Sequence, residues 1–238
     1  MNAALVTVGD ELLSGDTENT NATWLGRQLT ERGVTVKRML TVPDETAVIA
    51  DAVGRYSDAF DAVIVTGGLG GTPDDITIES VAKAFGRGLI ENELARADVE
   101  KHLESVAEKY PELNVDVAAE ARIPEGARPL LNRAGMSPGC VLENVYVLPG
   151  IPTEMKRMFE DVADEFEGDV TARTLYTEEP EANLIERLDE VRDRFGVQVG
   201  CYPDREAGHN RLKIRDSDGA VLDEAEAWLT EQIVLVEV

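Results

Sequence analysis

The 238-residue chain is predicted to be an α/β protein, a layered domain on a mostly parallel sheet followed by a small α+β unit. Three observations carry this. Strand-like and helix-like stretches alternate through the first 170 residues. The strand candidates are short, nearly continuous apolar runs, as strands covered on both faces require. From Arg173 the order changes to strand, helix, strand, strand, helix, strand, the βαββαβ succession of a split βαβ, ferredoxin-like unit. The domains expected are residues 1–170 and 171–238.

The elements follow in order. Residues 3–8 form a β-rich run, and Asn21 is placed to cap a helix carrying Trp24, Leu25 and Leu29 that ends near Gly33. Residues 34–42 alternate around Val34, Val36 and Leu40. Ile49, Val53 and Tyr56 share a helical face, and residues 62–66 read Ala-Val-Ile-Val-Thr. The next helix is expected to start near Thr72-Pro73-Asp74-Asp75, to carry Ile78, Val81, Ala82 and Phe85, and to stop at Gly86. A helix over 93–110 is ended by Pro111. A strand over 145–148 precedes a helix with Met155, Met158, Phe159 and Val162, and Gly168 closes the domain. In the smaller unit, helices carrying Leu184, Leu188, Val191 and Phe195 and then Leu222, Ala225, Leu229 and Ile233 separate strands at 174–177, 197–202, 211–215 and 234–238.

Charge narrows the function. With 23 Lys and Arg against 47 Asp and Glu the formal net charge is −24, and only 6 of the bases are Lys. Such a surface repels phosphate backbones and anionic lipid, so neither nucleic acid nor membrane is an expected partner. Abundant acids with scarce Lys fit adaptation to molar intracellular salt, and a halophilic source is expected. No run approaches the roughly 18 to 20 apolar residues that span a bilayer, no basic leader is read at the start, and a cytoplasmic protein is expected. Cys140 and Cys201 lack metal-ligand or redox spacing and read as small apolar residues. His102 and His209 lie in charged or polar surroundings and are weak catalytic candidates.

The chemistry concentrates where strands end. Residues 63–75, Val-Ile-Val-Thr-Gly-Gly-Leu-Gly-Gly-Thr-Pro-Asp-Asp, set four glycines between a buried strand and a helix start. Backbone N–H groups in such a turn, together with a helix N-terminus, form a phosphate or carboxylate cradle; the alternative is a tight connection without a ligand. The turn is neither a Walker motif nor a dinucleotide fingerprint. Asp74, Asp75 and Glu79 stand beside it, with Asp75 and Glu79 on one helical face. Acids are ordinary at helix N-termini, yet three carboxylates beside a phosphate demand a divalent cation of the magnesium or manganese kind. Asp10 and Glu11 at the end of the first strand are candidates for metal ligation or water activation, and Asn19 or Asn21 for contact with a base or ribose. The segments 135–139 and 149–152 are placed to form the far wall of the same crevice, because ligands of open α/β sheets sit beyond the carboxyl ends of the strands; the alternative is two turns that merely reverse the chain.

Four of these segments, Gly9-Asp10-Glu11-Leu12-Leu13-Ser14-Gly15 with Asn19-Thr20-Asn21-Ala22, Thr66-Gly67-Gly68-Leu69-Gly70 with Thr72-Pro73-Asp74-Asp75-Ile76-Thr77, residues 135–139, and Leu148-Pro149-Gly150-Ile151-Pro152-Thr153-Glu154-Met155-Lys156, resemble the competence/damage-inducible protein A (CinA) family. Its N-terminal region shares the molybdopterin-binding fold of MoaB, Mog and the gephyrin G domain. The resemblance implies a three-layer α/β/α domain, metal-dependent hydrolysis of the diphosphate of ADP-ribose (magnesium, manganese or cobalt), and, in relatives, pterin binding and adenylyl transfer. Carried over by motif, Gly67, Gly68, Gly70 and Thr72 take the phosphate. Asp75 and Glu11 become catalytic, and Asp74, Asp75 and Glu79 hold the metal. Ser137, Gly139, Pro149 and Gly150, with Asn21, complete the nucleotide pocket. The partners implied are a nucleotide or pterin phosphate, with molybdopterin as a possible ligand, and a second copy of the chain in a homo-oligomer. Gly71 departs from the usual Pro, and Met136-Ser137 from Thr-Ala. Nothing in the sequence resembles the deamidase domain of longer members. The rival readings are a molybdopterin-binding protein that does not cleave and a noncatalytic nucleotide sensor.

The charge makes a prediction of its own: the melting temperature should rise steeply as potassium chloride is increased from millimolar to molar, because screening relieves self-repulsion. Undiminished stability at low salt contradicts the halophilic reading.

Overall fold

The computed structural model describes residues 1–236, which fall into two compact units, Met1–Glu167 and Gly168–Val238. Strand β1 (Asn2–Val8) shows why the sheet of the larger unit is internal. Every residue from Ala3 to Val8 is buried. Because side chains alternate across a strand, Ala3 and Leu5 enter one apolar cluster while Val6 and Val8 enter another on the opposite face.

A short helix α1 (Asp10–Ser14) and then α2 (Thr20–Glu31) follow, before strand β2 (Thr35–Val42), α3 (Thr46–Ala59), β3 (Ala62–Thr66) and α4 (Thr77–Ala84). Next come β4 (Leu89–Glu91), α5 (Glu93–Val106), α6 (Val117–Glu120), β5 (Arg122–Pro124), β6 (Arg128–Leu130), β7 (Gly139–Leu142), β8 (Val145–Leu148) and α7 (Pro152–Glu160). The main sheet runs β2-β1-β3-β8-β7-β6. Its first four strands are parallel, and β7 and β6 are antiparallel additions at one edge. Strands β4 and β5 pair separately. Leu25 and Leu29 of α2 pack with Met155, Met158 and Phe159 of α7 against one face of the sheet, and Ile49 and Val53 of α3 with Val81 of α4 against the other. The larger unit is therefore the expected α/β/α sandwich.

Two expectations about helix starts are corrected. Asn21 does not cap α2; Asn19 does, its Oδ1 accepting the Ala22 N–H at 3.1 Å. The Asn19 amide also donates to the Thr7 hydroxyl at 2.8 Å, so the helix start is tied to β1. Helix α4 begins at Thr77, five residues later than Thr72, because Asp75 folds back to accept from both the backbone N–H and the hydroxyl of Thr72. Such a side-chain-closed turn competes with helix, so Asp74 and Asp75 lie outside α4, and Asp75 and Glu79 do not share a helical face. The hairpin β6–β7, the β4–β5 pair and α1 and α6 had no counterpart in the periodicity, since each is only three to five residues long.

The smaller unit comprises β9 (Thr171–Thr177), α8 (Glu181–Phe195), β10 (Gln198–Asp204), β11 (His209–Asp216) and α9 (Gly219–Gln232). Its antiparallel sheet has the order β10-β11-β9, and Leu175, Leu212 and Ile214 meet Leu184, Val191, Leu222 and Leu229 in a separate core. Gly196 in the left-handed conformation (φ 73°) ends α8. The expected last strand over 234–238 falls partly outside the described residues. Its first part is not in strand conformation, although Val236 N–H reaches the Tyr176 carbonyl at 2.9 Å.

Phe159 anchors the α2–α7 face: it is 1% exposed, meets Trp24 edge-on at 5.5 Å and stacks on Phe166 at 5.4 Å. Phe159→Ala should cost about 3–5 kcal/mol in denaturant unfolding; a loss under 1 kcal/mol would contradict this packing.

Candidate functional site

Parallel pairing brings the carboxyl ends of β1, β3 and β8 side by side, and the chain leaves each through glycine: Gly9, Gly67-Gly68 and Pro149-Gly150. Gly67 (φ 107°) passes so close to the Val8 carbonyl that a Cβ would collide with it, and Gly68 (φ 64°) lies against Thr77 Oγ1. Both conformations strain any other residue. Opposite, a Cβ on Gly150 would come within 3.2 Å of Gly67 Cα. These approaches leave a crevice of about 520 Å³ over the strand ends.

Several expected residues meet here. Gly67, Gly68, Gly70, Glu11, Asn21, Asp74, Asp75, Ser137, Pro149 and Gly150 all line the crevice. Asn21, released from capping, donates from Nδ2 to the Gly150 carbonyl at 2.7 Å and to Thr66 Oγ1 at 3.3 Å. The Thr66 hydroxyl in turn donates to the Pro149 carbonyl at 2.7 Å. One helix and two strand ends are thereby locked together. Asn21 Oδ1 is buried with no partner among the described residues, as is Thr77 Oγ1. Buried polar atoms rarely stay unpaired, which makes the Asn21 acceptor an unused group beside the crevice.

The far wall is held by Asn132, 2% exposed, whose amide donates to the Ser137 carbonyl at 3.0 Å and to Glu154 Oε2 at 2.7 Å, while the Ser137 hydroxyl donates to Glu120 at 3.0 Å. Gly139 is not part of this wall. It lies in β7, where a Cβ would strike the Val147 carbonyl and Met158 Sδ, and its smallness serves packing. Thr72 and Glu79 face a neighbouring hollow on the other side of the glycine turn and do not line the crevice. The helix-dipole part of the expected cradle is also weakened, because the Thr77 N–H is taken by the Gly68 carbonyl at 3.0 Å.

Electrostatics define what the crevice tolerates. Glu11, Glu18, Asp44, Asp74, Asp75 and Glu154 line it, with no Lys, Arg or His among its described lining residues. Asp44 escaped the motif reading, although its place two residues after β2 is the same strand-end signal that drew attention to Glu11. Its carboxylate accepts the Asp10 N–H at 2.9 Å. Burial, and then repulsion from Asp10, Asp74 and Asp75, push its pKa above the usual carboxylate value. Folding thus raises the proton affinity of Asp44 relative to the unfolded chain, so this group's contribution to stability is lost as pH rises through its raised pKa. Asp74, fully exposed, is held below the usual value by the Thr72 hydroxyl and its own backbone N–H.

The donors are carboxylate oxygens crowded by like charge, which suits a hard divalent cation. The grouping differs from the expected one: Glu79 is turned away, Asp75 already closes its turn, and among the described residues no three His, Cys, Asp or Glu side chains are grouped to hold a metal ion. His102 lies in α5, and His209 stands in β11 edge-on to Tyr176 at 5.2 Å. Cys140 is buried, its thiol pushed up to about 12 by burial, and Cys201 is half-buried. Among the described residues no helix is long and apolar enough to cross a membrane.

Comparison with known proteins agrees with the architecture. Residues 4–167 match the family described as probable molybdopterin binding domain, and residues 157–236 match the middle domain of FAD synthase. A protein of Archaeoglobus fulgidus is 36% identical over 85% of this chain and 86% of its own length. A CinA-like protein of Gemmatimonas aurantiaca is 37% identical over 98% of this chain, which spans only 58% of that protein. The crystal structure of the protein CinA, of unknown function, from Thermoplasma acidophilum superposes with a TM-score of 0.61 at 35% identity, over 69% of this chain and 97% of that one. By these matches and by its glycine-bounded strand ends, the chain belongs to the CinA family and carries that family's molybdopterin-binding-type domain.

Proposed function

We propose that the crevice binds a nucleotide or pterin through a phosphate or diphosphate at the Gly67–Gly70 turn, that a divalent cation (magnesium, manganese or cobalt) accompanies the ligand, and that the reaction is hydrolysis of a nucleotide diphosphate such as ADP-ribose. The observation that carries this is the pairing of a glycine turn with six lining carboxylates and no base. An anion entering alone meets only repulsion. Because no three carboxylates are grouped to hold a cation by themselves among the described residues, Asp74 and Asp75 would hold it only together with the ligand's phosphate oxygens, and when bound it supplies charge neutralisation at phosphorus and polarisation of a water.

The chain's own residues do the rest. Gly67 and Gly68 let the ligand approach the backbone closely, and the Asn21 amide fixes the two walls while its Oδ1 accepts from a ribose hydroxyl or a ring N–H. Glu11, one of the carboxylates lining the crevice, would take a proton from water. A second reading, pterin binding without cleavage, is favoured by the engagement of Asp75 with Thr72, which leaves fewer carboxylate oxygens for a cation.

One assay separates the two. With ADP-ribose and each metal in molar potassium chloride, the wild type should release AMP only when metal is present. Asp75→Asn, whose amide oxygen can still accept from Thr72, should keep the fold and lose at least a hundredfold in rate. Unchanged turnover in the folded variant removes Asp75 from the reaction, and no release from folded wild type, with retention of a pterin phosphate, selects the second reading.

A further inference from the structure

A second pocket of about 440 Å³ abuts the crevice, the two sharing Glu18, Asn19 and Thr20 as a common rim. It lies against α2 and α7, which pack together through Trp24 and Phe159. With two cations against the one carboxylate of Glu18 on the shared rim, its charge is opposite in sign to that of the crevice. Arg27 and Lys156 line it, and among the described residues neither is ion-paired, although the chain holds twice as many acids as bases. Thr20, Thr23, Trp24 and Arg27 recur at helical spacing along α2, so one face presents hydroxyls, an indole and a guanidinium together. The Lys156 ammonium stands over the Trp24 ring at 5.7 Å, an arrangement that holds the charge beside the indole instead of free in solvent.

We propose that this pocket is a metal-independent phosphate subsite, in which Arg27 and Lys156 receive the phosphate of the ligand farthest from the glycine turn. The inference rests on the reading of the crevice as a binding site for a phosphorylated nucleotide or pterin. The reasoning is one of charge: six carboxylates line one cavity and two unpaired cations the next, so the anionic end of a ligand spanning both is drawn to the second. Arg27 supplies a planar fork suited to phosphate oxygens, Lys156 a point charge, and Trp24 a wall that excludes water. The ligand class is a heterocycle whose chain ends in, or carries, a phosphate that needs no cation.

The test is calorimetric titration of the full chain with inorganic phosphate, in EDTA at fixed potassium chloride. Wild type should bind, and the double variant Arg27→Gln/Lys156→Gln should bind at least tenfold more weakly, with each single variant in between should the double variant fold poorly. AMP should compete with phosphate and bind more tightly, since its nucleoside gains contacts in the crevice. Absence of phosphate binding in wild type, equal binding by the double variant, or AMP no tighter than phosphate would each overturn the proposal. Failure of the cleavage reading is seen separately, as absence of AMP release from wild type with metal.

Discussion

The contact on which the larger unit's function depends is between backbone and backbone: Gly67 against the Val8 carbonyl, with Gly150 against Gly67. Parallel strands β1, β3 and β8 must end level with one another for these approaches to occur, and their register does this, pairing Thr7 with Thr66 and Thr66 with Leu148. A Cβ at either glycine would strike the backbone of the neighbouring strand end and push the two apart. The Asn21–Gly150 and Thr66–Pro149 hydrogen bonds then fasten the rim. The buried central strands β1 and β3 thus hold an opening whose floor is main chain, the arrangement that lets N–H groups reach a phosphate.

The second constraint is charge. A protein with net charge −24 concentrates carboxylates around that floor and sets two cations in the adjoining hollow. Repulsion from Asp10, Asp74 and Asp75 adds to the larger effect of burial in raising the pKa of Asp44. Bound positive charge relieves it, so cation and phosphate should reinforce each other's binding. Asp74 and Asp75 are not helix-terminal acids, since neither lies in a helix.

What was legible in the sequence follows from how each feature is encoded. The four parallel strands and the helices α2, α3, α5 and α7 are written in apolar periodicity, and the glycine turns in composition, so both were readable. The start of α4 was not, because one side chain, Asp75, turned back onto Thr72 and replaced a helical turn with a local closure. Asn21 was given the cap that belongs to Asn19, as either residue suits the position and only the tertiary partners Thr7 and Gly150 decide between them. Gly139 and Glu79 lie near the site in sequence but turn into β7 and toward the neighbouring hollow. Asp44, Arg27 and Lys156 carry no motif, and their relevance emerges only when folding brings β2, α2 and α7 to one rim.

The central claim is that the carboxylate-lined crevice receives its ligand together with a divalent cation. Anomalous scattering from crystals grown with manganese and a non-hydrolysable diphosphate analogue of ADP-ribose tests it most directly. A manganese peak is expected in the crevice beside Asp74 and Asp75, with diphosphate density next to it, and no peak when the analogue is omitted at the same low manganese concentration; the diphosphate bound at the glycine turn with no manganese beside it would contradict the claim.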